Sequence, residues 1–361
     1  MPKHTFYLGE KMKRLTLFAV ALSCLLALSS CSKKQGSSND TLYLFTWTYY
    51  TPEEAVRQFE QEYNCTVKID TYDSNEVMYA KLRAAGSSGY DIAFPSQDYT
   101  SIMISQRMLR EIDLNAFENS KYINPNVLAK ISYDPDMKYS VPYYMGAAGI
   151  AVNKQRLSNY SRDWNIFADS RIKGHASMMD DMREVMGDAL VSLGSSVNTL
   201  NKDELRRATD LIVKQWKPNL VKFDAEGFGK SFASGDFWVC QGYAEVIYEE
   251  VPEEKHDEMI DFFIPKEGGP MYIDSMVILR DSKNYDLAMK FINFIHRPEI
   301  YATFLDYFRF PASVNLEAEK YMKTTPLYKA EEMENCELKL DIGEGLDLYN
   351  ELWQEIRFTA D

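Results

Sequence analysis

Residues 42–59, LYLFTWTYYTPEEAVRQF, join a predicted strand to a predicted helix and indicate the class of fold. The apolar run at 42–45 is the strand candidate. TPEE at 51–54 opens the helix, with the threonine as N-cap, the proline at the first position and acids in the first turn. Further short apolar runs, TVKI at 66–69 and DIAF at 91–94, follow with a helical pattern between them. This alternation predicts an α/β domain with a largely parallel sheet.

Two extended stretches lie further along the chain. VPYYMGAAGIAV (141–152) and DFFIPKEGGPMYIDSMVIL (261–279) contain glycine and show no helical period. Strands and helices alternate again between them. A chain of 361 residues is long enough for two domains, so each stretch is a candidate crossing between two lobes.

The composition excludes some classes of protein. Lys and Arg number 40 against 54 Asp and Glu, a net charge of −14, which argues against a nucleic-acid partner and is compatible with a cationic ligand. A mean hydropathy of −0.37 excludes a multi-span membrane protein. The sequence has no GxSxG, HExxH, P-loop or GxGxxG motif. It therefore points to no cofactor, although paired acids leave a carboxylate-only hydrolase possible.

The N-terminus has the pattern of a secretory signal. Three basic residues between positions 11 and 14 precede the apolar run LTLFAVALSCLLAL (15–28), which ends in LSSC at 28–31. The final four residues resemble a lipoprotein cleavage box. We therefore expect residues 1–31 to hold a signal peptide that is cleaved before Cys31, which becomes lipidated, and residues 32–39 to form a polar tether. An ordinary signal with an incidental cysteine is the alternative.

Three cysteines remain in the predicted mature domain. Cys65, Cys240 and Cys336 are far apart in sequence and lack metal-ligand spacing. They are expected to be buried structural residues, with no metal site. At most one disulfide can form among them, and the pattern leaves open whether any does.

Polar and aromatic clusters directly follow two predicted strands. WTYY at 47–50 follows the first strand and SQDY at 96–99 follows the third. In open α/β sheets, ligands bind beyond the carboxyl ends of the strands, so Trp47 and Ser96 are expected to project toward one crevice. The alternative is that Trp47 and Tyr50 are core aromatics.

Two residue pairs elsewhere are further candidates for a binding site. Asp181 and Glu184 are three apart and would share a helix face, where two carboxylates repel unless a cation lies between them. An acidic, solvated helix N-terminus is the alternative. Tyr272 and Asp274 alternate onto one face of a predicted strand, although a lone aspartate there is equally consistent with a turn or a cap. The patterns alone leave both roles open.

Several longer segments, in this order, carry a resemblance to a known family. They are LYLFTWTYYTP (42–52), TYDSNEVMYAKL (71–82), YDIAFPS (90–96), YSVPYYMGAAGIAVN (139–153), MDDMREV (179–185), FFIPKEGGPMYIDSMVI (262–278), FINFIHRPE (291–299) and, more weakly, DIGEGLDLYNELW (341–353). Together they resemble the polyamine-binding proteins of the bacterial spermidine/putrescine ABC importer. The resemblance implies a type II, two-lobed periplasmic-binding-protein fold, in which each lobe is a mixed, mostly parallel sheet flanked by helices and the ligand cleft lies between the lobes.

The resemblance also implies how a ligand is held. Family members pair the nitrogens of a linear polyamine with carboxylates and cover its methylenes with aromatic rings, which compensates the hydration that the amines lose. The implied ligand-binding residues are Trp47, Thr48, Tyr50, Ser96, Asp98, Asp181, Glu184, Tyr243, Tyr272, Asp274 and Phe310.

Four positions depart from the family pattern. Tyr49 stands where an acid is often found, Asp98 where a pocket tyrosine is expected, and Lys339 where a glutamine is expected. Glu245 has no counterpart in the spermidine-type pattern. A lysine that faced the pocket would favour a diamine, unless Asp98 or Glu245 neutralised it. The roles of Lys339 and Glu245 therefore stay open, as does the choice between spermidine and putrescine.

The resemblance implies a periplasmic, lipid-anchored, monomeric protein that delivers polyamine to an ABC permease without catalysis. Counting acids and rings favours spermidine narrowly over putrescine. The alternatives are a binding protein for another small amine or solute, a sensory receptor domain, and a secreted carboxylate-dependent hydrolase. The crossing stretches predict discontinuous lobes, with 40–147 and 274–318 in lobe 1 and 148–270 and 319–361 in lobe 2.

Overall fold

The computed structural model describes residues 40–48, 50–84 and 89–359. The predicted signal peptide, the lipidation site Cys31 and the tether lie outside these residues, as does Tyr49. The described residues from Thr41 onward belong to one structural unit.

A first mixed sheet contains six strands of the described chain, two of which come from the far end of the sequence. They are β1 (Thr41–Trp47), β2 (Thr66–Tyr72), β3 (Ile92–Ala93), β4 (Ser140–Ala147), β10 (Pro270–Ile278) and β11 (Glu337–Leu338). The order is β11-β10-β3-β1-β2, and β4 also pairs with β10. Strand β1 is parallel to β2 and β3, whereas β10 is antiparallel to β3 and β4.

A second mixed sheet is built from the middle of the chain. Its strands are β5 (Gly149–Asn153), β6 (Ala176–Met178), β7 (Leu220–Phe223), β8 (Val239–Gly242) and β9 (Ile260–Phe263). The order is β7-β6-β8-β5-β9, with β6 parallel to both neighbours and β5 antiparallel to both of its own. Two mixed sheets with helices confirm the predicted α/β, two-lobed class of fold.

Helices connect the strands and cover the sheets. They are α1 (Glu53–Tyr63), α2 (Asn75–Ala84), α3 (Gln97–Ser105), α4 (Pro125–Leu128), α5 (Met182–Ser192), α6 (Lys202–Leu211), α7 (Phe228–Ser234), α8 (Ala244–Glu250), α9 (His256–Met259), α10 (Tyr285–Ile295), α11 (Pro298–Phe308) and α12 (Leu346–Phe358). Helix α1 buries Ala55, Val56 and Phe59, as its periodicity predicts. The prediction of Thr51 as its N-cap is wrong, because the extended Pro52 directly precedes the helix and no side chain caps it.

The chain passes between the sheets at the two extended stretches. Strand β4 of the first sheet ends at Ala147 and β5 of the second sheet begins at Gly149, so one residue makes the first passage. Residues 264–269 make the return passage from β9 to β10. After β11, the chain reaches α12, which packs against α5 and α6 beside the second sheet.

Two further sequence expectations can be compared with the described residues. Cys65, Cys240 and Cys336 are all buried, as predicted, and no disulfide joins these described cysteines. Within the described ranges, no helix has the length and apolar character needed to cross a bilayer.

Candidate functional site

A cavity of about 770 Å³ lies between the two sheets. The first sheet contributes side chains just beyond the carboxyl ends of β1 and β3, and the second contributes side chains that follow β6 and β8. Both walls are therefore built at strand ends, the position at which open α/β sheets bind ligands.

Most of the residues predicted from the sequence line this cavity. They are Trp47, Tyr50, Ser96, Asp98, Asp181, Tyr243, Tyr272 and Asp274. Thr48, Glu184 and Phe310 are not part of its wall. Thr48 is exposed and its backbone N–H donates to the carbonyl of Tyr72, whereas Glu184 and Phe310 are buried behind the wall.

Asp274 is held in the wall of the cavity by two hydroxyl groups. Tyr50 Oη donates to its Oδ2 at 2.8 Å and Ser96 Oγ donates to its Oδ1 at 2.6 Å. The residue is only 5% exposed, and burial raises the pKa of its carboxyl to about 6, although the two hydrogen bonds oppose this shift. No lysine or arginine among the described residues forms an ion pair with it.

An irregularity in β10 directs Asp274 toward the cavity. The pairing register between β10 and β4 shifts between Asp274 and Ser275, as at a β-bulge. Ser275 N donates to the carbonyl of Pro95 at 3.0 Å, and Gln97 Oε1 accepts from Ile273 N at 3.0 Å. The segment after β3 therefore holds the backbone on both sides of Asp274.

The opposite wall begins at the N-terminus of α5. Asp181 is the N-cap, and its Oδ1 accepts from the backbone N–H groups of Arg183 at 2.8 Å and Glu184 at 3.0 Å. Asp181 therefore caps the helix and also lines the cavity, where its role in binding a ligand stays a prediction.

Two neighbouring carboxylates such as Asp181 and Glu184 repel unless a cation lies near them, and the side chain of Lys339 supplies that cation. Lys339 Nζ donates to Glu184 Oε1, and Tyr243 Oη lies 3.4 Å from the same oxygen. Lys339 also lines the cavity. Burial alone would lower the pKa of Lys339, but the charges of Glu184 and Asp181 raise it above its usual value. Glu184, predicted to bind a ligand amine, therefore already holds an ammonium.

Aromatic rings form much of the remaining wall. Tyr243 and Tyr272 meet edge to face with centroids 5.8 Å apart. Trp47 is fixed by its Nε1, which donates to the carbonyl of Phe94 at 2.9 Å. Phe310 stacks on Tyr144 at 4.1 Å, so it packs behind the wall instead of forming it. Such rings can cover methylene groups and attract ammonium groups.

Sequence reasoning missed some polar residues of the cavity and left one without a role. Glu245, at the start of α8, lines the cavity, and burial raises the pKa of its carboxyl to about 7. Asn75 Nδ2 donates to Ser96 Oγ at 3.0 Å and so supports the group that binds Asp274. Asp73 and Glu76 also line the cavity. Asp73, Asn75 and Glu76 all belong to the segment TYDSNEVMYAKL (71–82), and the family resemblance of this segment could have identified them as cavity residues.

The lining of the cavity suits the binding of a cation. Acids on both walls, with tyrosine and tryptophan between them, suit an elongated cation with apolar methylenes. Within the described part of the chain, no cluster of three or more His, Cys, Asp or Glu is arranged to hold a metal ion. Two sheets that share this one cleft define a two-lobed ligand-binding protein.

Comparison with known proteins identifies the family. The chain belongs to the bacterial extracellular solute-binding proteins, which it matches over residues 54–331. It is 32% identical over 336 residues to the spermidine/putrescine-binding periplasmic protein of Escherichia coli, covering 90% of this chain and 94% of that protein. It is 32% identical over 294 residues to the putrescine/cadaverine-binding protein of Pseudomonas aeruginosa, covering 79% and 80%. The crystal structure of the TpPotD lipoprotein of Treponema pallidum superposes with a TM-score of 0.85 at 51% identity, covering 89% of this chain and 100% of that chain.

Proposed function

We propose that this protein binds a linear polyamine in the cleft and delivers it to the permease of an ABC importer. The observation that carries the proposal is Asp274, a buried carboxylate that two hydroxyl groups orient and that has no ionic partner among the described residues. A buried charge is costly unless it is paired. An ammonium group of the ligand would supply that partner, and the relatives described above bind spermidine, putrescine or cadaverine by name.

We propose no chemistry on the bound ligand. The two acids that the sequence pairs on α5 are both engaged, because Glu184 is bonded to Lys339 and Asp181 caps the helix. The proposed role needs only binding and release.

The mature protein is proposed to be a monomer anchored in the bacterial envelope by lipid on Cys31. The cleavage box at 28–31 supports the lipid anchor, together with the description of the Treponema pallidum relative as a lipoprotein. An anchored binding protein stays near its permease after it releases the ligand.

The proposed limits of the lobes differ in two respects from those that the sequence predicts. Residues 270–273 belong to β10 of the first sheet, which supports resuming lobe 1 at 270 and not at 274. Strand β11 pairs with β10 of the first sheet, and Leu327 N donates to the carbonyl of Arg309 at 2.9 Å. Tyr328 Oη and Tyr144 Oη are hydrogen-bonded at 3.0 Å. These contacts support placing 319–338 in lobe 1, whereas α12 stays in lobe 2.

Titration calorimetry of the purified protein tests the proposed function. We expect putrescine, cadaverine or spermidine to bind at micromolar concentration or tighter. N-acetylputrescine, which keeps the methylene chain but loses one charge, is expected to bind at least tenfold more weakly than putrescine. If none of the amines binds at millimolar concentration, polyamine binding is wrong.

Amine binding is expected to weaken as the pH falls from 8 to 5. Asp274 and Glu245 have pKa values raised to about 6 and about 7, so each is partly protonated in the unliganded protein over this range. An ammonium binds the ionised form, and binding must release these protons. Burial also raises the pKa of Asp98, although the charge of Lys339 opposes this shift, and Lys339 keeps its own charge.

The expected loss of putrescine affinity between pH 8 and pH 5 is roughly 100-fold or more. Calorimetry at constant ionic strength, in two buffers of different ionisation enthalpy, measures both the affinity and the protons released. An affinity that is constant between pH 5 and pH 8 would exclude these carboxyl groups as the amine partners.

A further inference from the structure

The cavity contains a lysine that is held in place by a buried acid. The side chain of Lys339 is 16% exposed, and that of its partner Glu184 is not exposed at all. The charges of Asp181 and Asp98 also stabilise the ammonium. Three acids therefore converge on this one cation, at the end of the cleft where the sequence predicts two acids for a ligand amine.

The backbone leaves Lys339 little freedom to withdraw. Lys339 N donates to the carbonyl of Met271 at 3.1 Å, and Leu340 N donates to Asn198 Oδ1 at 2.8 Å. Two residues earlier, the carboxylate of Glu337 accepts from Ser196 Oγ at 2.6 Å and from Val197 N at 2.9 Å. Met271 of β10 and the loop between α5 and α6 thus hold the segment that carries the lysine.

Asp73 and Glu76 also line the cavity, but they are exposed to solvent. Two less exposed acids of the wall, Asp274 and Glu245, have no ionic partner among the described residues. Both lie close enough to Tyr272 for their charges to raise the pKa of its hydroxyl, after the larger effect of burial. An aromatic ring therefore lies near two acids that await a cation, an arrangement that suits two ammonium groups joined by methylenes.

We infer that Lys339 replaces one ligand amine, so that the cleft selects diamines over triamines, with Asp274 and Glu245 as the partners of the two ammonium groups. This inference rests on the proposed polyamine function. A third amine would enter the region of Glu184 and meet the ammonium of Lys339. Like charges repel strongly in a closed cleft with little water. The order of preference is then the reverse of the one that counting acids in the sequence favours.

Competition binding of putrescine and spermidine to the wild type and to Lys339→Gln tests the inference. Putrescine is expected to bind the wild type at least tenfold more tightly than spermidine. Lys339→Gln removes the repulsion and frees Glu184, so spermidine affinity is expected to rise at least tenfold while putrescine affinity changes less. Lys214→Gln is the matched control, because Lys214 is exposed and pairs with Asp210 away from the cavity.

A second variant covers the case in which Lys339→Gln does not fold because Glu184 is left buried without its partner. Lys339→Gln/Glu184→Gln removes both charges, and it is expected to shift selectivity in the same direction by a smaller factor. Melting curves establish that each variant is folded. Polyamine binding with a putrescine-to-spermidine ratio within threefold of the wild type in both variants overturns the inference alone. The absence of binding of either amine to the wild type would overturn the proposed function as well.

Discussion

Asp274→Asn is expected to weaken polyamine binding by two orders of magnitude or more. The asparagine keeps the shape of the side chain, and the hydroxyl groups of Tyr50 and Ser96 can rotate to satisfy it. It removes the charge that faces the ligand ammonium. Removing one partner of a buried ion pair costs about 3–5 kcal/mol, which corresponds to a factor of 100 or more in Kd. Calorimetry with putrescine measures this change.

The stability of the unliganded variant separates a loss of binding from a loss of fold. Burial raises the pKa of Asp274 to about 6 in the folded protein, so folding is penalised by this charge above pH 6. The neutral asparagine removes the penalty, and Asp274→Asn is expected to melt no lower than the wild type at pH 8. Asp257→Asn is the matched control, because Asp257 is exposed and does not line the cavity. A loss of tenfold or less in a variant of normal stability would show that Asp274 is not an amine partner.

Gly268→Ala is expected to lower the free energy of unfolding substantially. Gly268 lies in the passage from β9 to β10 with φ at +83°, and an added Cβ would lie 2.1 Å from the carbonyl oxygen of Asn335. The backbone is held there, because Gly268 O accepts from Trp164 Nε1 at 2.8 Å and Asn335 Nδ2 donates to Lys266 O at 2.7 Å. Left-handed strain and overpacking together should cost about 3–5 kcal/mol.

Gly174→Ala separates the two causes. Gly174 has a similar φ of +77°, but no atom lies within 4 Å of an added Cβ. This variant should therefore lose only the cost of left-handed backbone, about 1–2 kcal/mol. Urea denaturation of both variants and the wild type measures the difference. Equal losses would show that Asn335 moves aside without cost and that this passage is not tightly packed.

Much of the fold could be predicted because its signals are local. The runs at 42–45 and 66–69 lie in strands β1 and β2, the run at 91–94 contains the two-residue strand β3, and the helix predicted to open at 51–54 is α1. Side-chain alternation and helical spacing need only neighbouring residues to be recognised. Thr51 was wrongly predicted as the N-cap for the same reason. The local pattern is equally consistent with Thr51 or Pro52 in that position.

Most of the candidate site could also be predicted, because the ends of parallel strands meet at one edge of a sheet. This rule and the family resemblance placed Trp47, Ser96 and Asp274 together, although Ser96 and Asp274 are 178 residues apart. They did not predict that Thr48 faces solvent or that Phe310 packs behind Tyr144. The orientation of Thr48 in its turn and of the Phe310 ring depends on how these residues pack against their neighbours in the folded protein.

Local periodicity predicted the α/β class and the crossings, and the family resemblance added the two lobes and the acidic, aromatic character of the cleft. The distribution of charges within that cleft became visible only in the folded protein. Lys339 and Glu184 are 155 residues apart, and their pairing requires β11 to lie beside β10 and α5 to point toward it. Electrostatic energy depends on distance through space and on burial, not on separation along the chain. The number of acids left for a ligand could therefore be read only from the folded protein.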